Sequence, residues 1–110
     1  MENRQKVLNM IGLATKAGKT VSGEFSTEKS VKSGRSHMVI VSEEASDNTK
    51  KMFTNMCTYY HVPVCFFGKK EELGHSMGKE FRASLAITDE GFAKTLVKQM
   101  NENGGSKYES

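Results

Sequence analysis

The sequence predicts a three-layer α/β/α sandwich around a small sheet, because short apolar runs alternate with amphipathic helical patterns. Two of the runs, Met38-Val39-Ile40-Val41 and Val64-Cys65-Phe66-Phe67, have no polar residue in alternation. That is the pattern of strands covered on both faces. Around them apolar residues recur at spacings of three and four, the helical period. Periodicity does not set the order of the strands. The 110 residues fit one domain with a single core.

Each element has its own signal. Val7, Leu8, Ile11 and Ala14 mark a first amphipathic helix from about Glu2 to Lys16, stopped by Gly18. Thr20–Ser22 has room only for a short strand. A second helix is expected from about Gly23 to Ser33, with Phe25 and Val31 as its large apolar residues and Gly34 at its end. The Met38–Val41 strand follows. Ser46 or Asp47 then caps a third helix through about Tyr60, on which Met52, Met56 and Tyr60 form one row and Phe53 and Cys57 the next. Pro63 separates that helix from the second buried strand. Lys69–Leu73 reads as a short helix closed by Gly74, and Gly74–Ala83 as a polar loop. Leu85-Ala86-Ile87 is the last strand expected. Thr88 or Asp89 caps a final helix carrying Phe92, Leu96, Val97 and Met100. The domain is drawn over residues 1–101, with residues 102–110 as a disordered tail.

Composition narrows the function more than it names it. No apolar run approaches the roughly 18 residues of a membrane span. Met-Glu-Asn-Arg-Gln-Lys opens the chain with no apolar secretory segment behind it. Two cysteines are too few for a disulfide framework, so a reducing cytoplasm is the expected location. Cys57 and Cys65 form no C-x-x-C pair, and His37, His61 and His75 have no ligand spacing, so no metal is expected. No phosphate loop, dinucleotide fingerprint or nucleophile elbow is present, and no cofactor is expected. Glu43-Glu44 follows a buried strand, where an α/β enzyme places carboxylates, but a solvated turn is the preferred reading.

Charge is the more telling feature. The net charge is +3. Residues 1–37 hold seven Lys/Arg against three Asp/Glu, whereas residues 38–110 hold nine against ten. A one-sided basic surface favours a polyanionic partner. Within it, Gly18-Lys19-Thr20-Val21-Ser22-Gly23-Glu24-Phe25 is a glycine-flanked strand running into a helix start, whose unpaired N–H groups attract phosphate. Lys16 and Lys19 precede that start, and Lys29, Lys32 and Arg35 follow it.

Several segments match a known family in order. They are Gly12-Leu13-Ala14, Ala17-Gly18-Lys19, Ser22-Gly23-Glu24, Ala45-Ser46-Asp47-Asn48-Thr49-Lys50-Lys51, Tyr59-Tyr60-His61-Val62-Pro63-Val64, Leu73-Gly74, Gly78-Lys79-Glu80 and Thr88-Asp89-Glu90-Gly91-Phe92-Ala93. Over about residues 5–100 the chain resembles the bacterial branch of the ribosomal protein L7Ae and L30e family, small proteins that bind kink-turn RNA. The resemblance implies an α/β/α sandwich with a mixed sheet. It also implies an RNA surface built from Gly23–Lys29 and about Met77–Ala83.

Carried over by position, Gly23 matches a glycine that lets RNA approach the backbone, and Lys29 a basic residue meeting phosphate. Phe25 and Ser26 stand where archaeal members carry the Asn-Glu pair that reads guanines of G·A pairs. Phe25 is either a stacking surface or a core residue, with core packing preferred. Ser26 offers one hydrogen bond, and Glu24 is the candidate to take over the carboxylate role. In the loop, Lys79, Glu80 and Arg82 supply charge, while Phe81 and Met77 are read as cover for an extruded base. The expected function is a non-catalytic protein binding structured RNA, ribosomal RNA with a kink-turn being the natural target. The alternative is a protein-interaction module in a translation or ribosome-assembly complex.

Overall fold

The structure is a computed structural model. It describes the backbone of residues 3–103 and 107–109, and side-chain surroundings over residues 3–101. The elements run α1 Asn3–Lys16, β1 Thr20–Ser22, α2 Glu24–Lys32, β2 Met38–Val41, α3 Asp47–Tyr60, β3 Val64–Phe66, α4 Lys70–Ser76, β4 Ser84–Ile87, α5 Glu90–Asn103 and β5 Lys107–Glu109. They form a three-layer α/β/α sandwich. The sheet order is β1-β4-β2-β3-β5, with β2 and β3 parallel and the other neighbours antiparallel.

Alternation along β2 divides the core between the two faces. Met38 and Ile40 pack with Val7 and Ile11 of α1, Leu73 of α4 and Leu96 of α5. Val39 and Val41 pack with Val31 of α2 and with Phe53 and Cys57 of α3. A central strand that supplies both cores must be apolar at every position, and all four β2 residues are buried. Capping chemistry sets two helix starts. Ser46 Oγ accepts the Thr49 N–H at 3.1 Å, and Asp89 Oδ2 accepts the Phe92 N–H at 2.9 Å.

Three expectations change. Gly74 does not close α4 but lies inside it. A Cβ there would collide with the Glu80 carbonyl and sit 2.8 Å from the Phe81 nitrogen, so the glycine is needed where the following loop folds back on the helix. Met77 is only 6% exposed and belongs to the core beneath that loop, so it is not available to cover a base. The last strand is β5, not β4. The stretch 102–110, expected to be disordered, holds the end of α5 and then Lys107–Glu109 paired antiparallel with β3. Without that pairing β3 would be a free sheet edge. Residues 104–106 and 110 of that stretch lie outside the described residues.

At one end of the sheet the C-terminal ends of β1 and β2 meet the start of β4. Val41 pairs with Ser84 and Ser22 with Leu85. That end carries the candidate site.

Candidate nucleic-acid interface

Gly23 makes the turn from β1 into α2. Its φ of 92° lies where L-side chains are strained, and among the described residues nothing stands within 4 Å of where a Cβ would project. The glycine is therefore fixed by backbone conformation, with open space in front of it. Its N–H is donated to the Ser84 carbonyl at 2.9 Å, which anchors the helix start to β4. Among the described residues no side chain caps α2, and its first turn begins with exposed Glu24, Phe25 and Ser26. Helix starts of this kind leave N–H groups for an anionic ligand.

The helix orients the rest. Its buried positions are Thr27, Ser30 and Val31, a three–four stripe facing the sheet. At about 100° per residue, Phe25 lies some 160° around the helix from Thr27. Phe25 is accordingly 78% exposed, which overturns the preference for core packing. Lys29, one turn further on, is exposed, and no carboxylate pairs with it among the described residues. Lys32 differs, because Glu28 neutralises it at 3.1 Å.

The 77–83 loop is braced from two sides. Its N-terminal half is tied to α4 through Lys79 N–H to the Gly74 carbonyl (2.7 Å), and its C-terminal half through Arg82 N–H to the Lys70 carbonyl (3.0 Å). Arg82 then crosses to β1. Its Nε donates to Ser22 Oγ at 2.9 Å, and its Nη1 returns to the Phe81 carbonyl at 2.7 Å. The loop and the α2 start thus form one continuous surface. Lys79, Glu80 and Phe81 project from it, with Phe81 58% exposed. Arg82 is half-buried and commits two nitrogens to bracing, which among the described residues leaves Nη2 for an outside ligand.

Lys16 and Lys19 are not brought to this surface. Lys19 precedes the other end of β1, where its carbonyl accepts the Thr88 N–H at 2.9 Å. Four residues of extended chain, about 13 Å, separate it from Gly23. Lys16 ends α1 in a groove shared with Leu13, Glu72 and His75. Sequence reasoning missed Ser22 and Gly74 as supports of the loop. The Arg82–Ser22 contact spans 60 residues and leaves no local signal, and a glycine after a short helical pattern reads as a stop rather than as a packing site.

Other reactive groups have structural work. Glu43 Oε1 accepts the Gly68 N–H at 3.2 Å and Glu44 Oε1 the Lys70 N–H at 2.9 Å, so the acidic pair staples the loop between β3 and α4. Burial pushes the Cys57 thiol up to about 12 and the Cys65 thiol up as well, so both stay protonated as core residues. Among the described residues no His/Cys/Asp/Glu group is arranged to hold a metal. No helix among them is long and apolar enough to cross a membrane.

Fold and surface together define a small α/β/α protein with an uncapped, glycine-led helix start next to a braced loop. Comparison with known proteins places it more closely. The chain belongs to the ribosomal protein L7Ae/L30e/S12e/Gadd45 family, whose model matches residues 5–97. It is similar to RNA-binding protein YlxQ of Bacillus subtilis, with 41% identity over 92 residues, 84% of this chain and 92% of that one. YlxQ of Enterococcus faecium is 40% identical over 84% of this chain and 88% of its own. Large ribosomal subunit protein eL8 of Picrophilus torridus is 30% identical over 94% and 86% of the two chains. Among solved structures, a protein of unknown function from Bacillus halodurans superposes with a TM-score of 0.85 at 33% identity, covering 87% of this chain and 97% of that one. The Giardia lamblia 15.5kD RNA binding protein shares the fold, with a TM-score of 0.76 at 18% identity over 94% and 90%.

Proposed function

We propose that this protein is a non-catalytic, cytoplasmic RNA-binding protein that recognises a kink-turn or similarly bent RNA element, ribosomal or ribosome-associated. The observation that carries the reading is the continuity of the Gly23–Lys29 helix start with the 77–83 loop, through Gly23–Ser84 and Arg82–Ser22. Protein recognition of RNA favours irregular elements whose bases and backbone are accessible. The names of the YlxQ and eL8 relatives support an RNA partner.

On this reading Lys29, Lys79 and the free nitrogen of Arg82 neutralise phosphates. Gly23, Glu24, Ser26 and the helix-start N–H groups select the bent loop, and Phe81 covers an unstacked nucleotide. Glu80 rims the loop. Lys16 and Lys19 reach only RNA that continues beyond the bend. Binding favours the bent RNA over the extended one by differential affinity. A fluorescence titration of the protein against a kink-turn RNA and its G·A-disrupted control tests this. Preference for the kink-turn, with a salt slope reduced by Lys29→Ala, is expected. Equal affinities reject it.

The exposure of Phe25 favours a second reading, a protein-interaction module within a translation or ribosome-assembly complex. A protein partner retained after nuclease treatment, with no preference among RNAs, would select that alternative.

A further inference from the structure

Beside the interface runs a groove of about 490 Å³ between β1 and α2. Thr20 and Val21 of β1 and Thr88 line one side, and Phe25 and Lys29 of α2 the other, with Arg35 at the far end. β1 is a terminal strand of the sheet, so the groove opens outward along it. The ionisable side chains that line it are Lys29 and Arg35, with no carboxylate opposite either one among the described residues. Arg35 is held in place by its backbone. Its N–H is donated to the Ser30 carbonyl at 3.0 Å, and the neighbouring Ser36 shares a buried 2.7 Å hydrogen bond with Ser30. Phe25 stands at the mouth, next to the Gly23 turn.

This combination has a specific chemical meaning. An exposed aromatic at the mouth of a groove that carries two cations along its length is the arrangement that binds single-stranded nucleic acid, the ring stacking on a base and the cations tracking the backbone. The helix side from Phe25 to Ser33 is about 12 Å long, room for roughly two nucleotides. We propose that this groove takes the unpaired strand flanking the bent element, one base stacked on Phe25 and its phosphates met by Lys29 and Arg35. A residue that cannot read guanine edges by hydrogen bonding here extends the footprint by stacking, tolerant of base identity. The inference rests on the RNA-binding reading above and adds a second contact to it.

The test uses the full chain and two kink-turn RNAs, one blunt and one carrying a single-stranded uridine extension of about four nucleotides, each extension strand tried in turn. One extension is expected to raise affinity about 10-fold, a gain removed by Phe25→Ala and kept by Phe25→Tyr. Arg35→Ala should lower the salt slope on the extended RNA by about 0.7 and leave the blunt RNA unchanged. The proposal is overturned if neither extension raises affinity, or if the gain survives both Phe25→Ala and Arg35→Ala. Those results leave preference for the bent RNA over its G·A-disrupted control intact. Loss of that preference instead rejects the underlying reading.

Discussion

Arg82 Nε donates a 2.9 Å hydrogen bond to Ser22 Oγ, joining the loop before β4 to the end of β1 immediately before the Gly23 turn. The two halves of the proposed RNA surface are therefore coupled through one side-chain contact. A hydrogen bond from a charged donor contributes about 1.5–3 kcal/mol when its partner is fixed. This one is half-buried, which argues for the lower end.

Ser22→Ala should loosen the loop without unfolding the domain. We expect global stability to fall by about 1.5 kcal/mol. Amide exchange should speed up over residues 79–82, while α1 and α5 keep their protection. Affinity for a kink-turn RNA should fall with it. Unchanged exchange in the loop would show that the backbone bonds to Gly74 and Lys70 suffice to hold it.

Gly74→Ala probes the same loop from beneath. The new methyl meets the Glu80 carbonyl and the Phe81 nitrogen, backbone atoms that cannot swing aside like a flexible side chain. Helix propensity alone favours alanine by about 1 kcal/mol. Overpacking costs about 1–3 kcal/mol, so the sign is decided by whether the loop yields. Because both ends of the loop are tied to α4, we expect net destabilisation and a weaker RNA complex. A more stable Gly74→Ala protein by denaturant titration would overturn the close-packing role.

These two residues show what the chain makes legible before folding. The β2 run Met38–Val41 could be placed from its unbroken apolarity, because only a strand covered on both faces tolerates it. The Gly23 turn and the Ser46 cap were equally readable, since each depends on neighbours a few residues away. Hydrophobicity alone misplaces Phe25. The stripe that faces the sheet is Thr27, Ser30 and Val31, mostly polar, and the helical period then sends Phe25 to solvent. Gly74 looked like a helix stop because the chain segment pressing on it lies six residues later, in a loop with no pattern of its own. Lys16 and Lys19 looked adjacent to the site because they are close in sequence, but β1 carries the chain away from them.

Acid should act on the α1–α4 contact. Glu72 accepts hydrogen bonds from both Nε and Nη2 of Arg4, as well as from the Lys69 N–H, and Arg4 also lies over the Phe67 ring at 5.3 Å. The Arg4 hydrogen bond holds the Glu72 carboxyl below its ordinary value of 4.5. A depressed carboxylate contributes stability that is fully present above the unfolded-state value and is lost as pH falls through the folded one. The pair is partly exposed, so the effect is modest. Glu72→Gln should lower the denaturation midpoint at neutral pH, and the gap from wild type should close on the acid side of 4.5. A gap that stays constant with pH would mean that the ionised pair contributes nothing.

The Thr27 hydroxyl is buried beneath the helix start with no hydrogen-bond partner among the described residues. A buried unsatisfied hydroxyl costs about 1–3 kcal/mol, and an apolar group of the same shape removes that cost. Valine matches threonine in branching and has a similar helix propensity. Thr27→Val should therefore leave stability unchanged or raise it by about 1 kcal/mol. Thermal and denaturant unfolding measure this directly. A loss of stability would show that the hydroxyl bonds a backbone carbonyl of the preceding turn, most simply that of Gly23. The RNA titration separates a further role. If the hydroxyl reaches no ligand, Thr27→Val binds a kink-turn RNA as wild type does, whereas a stable variant with weakened binding would add Thr27 to the interface.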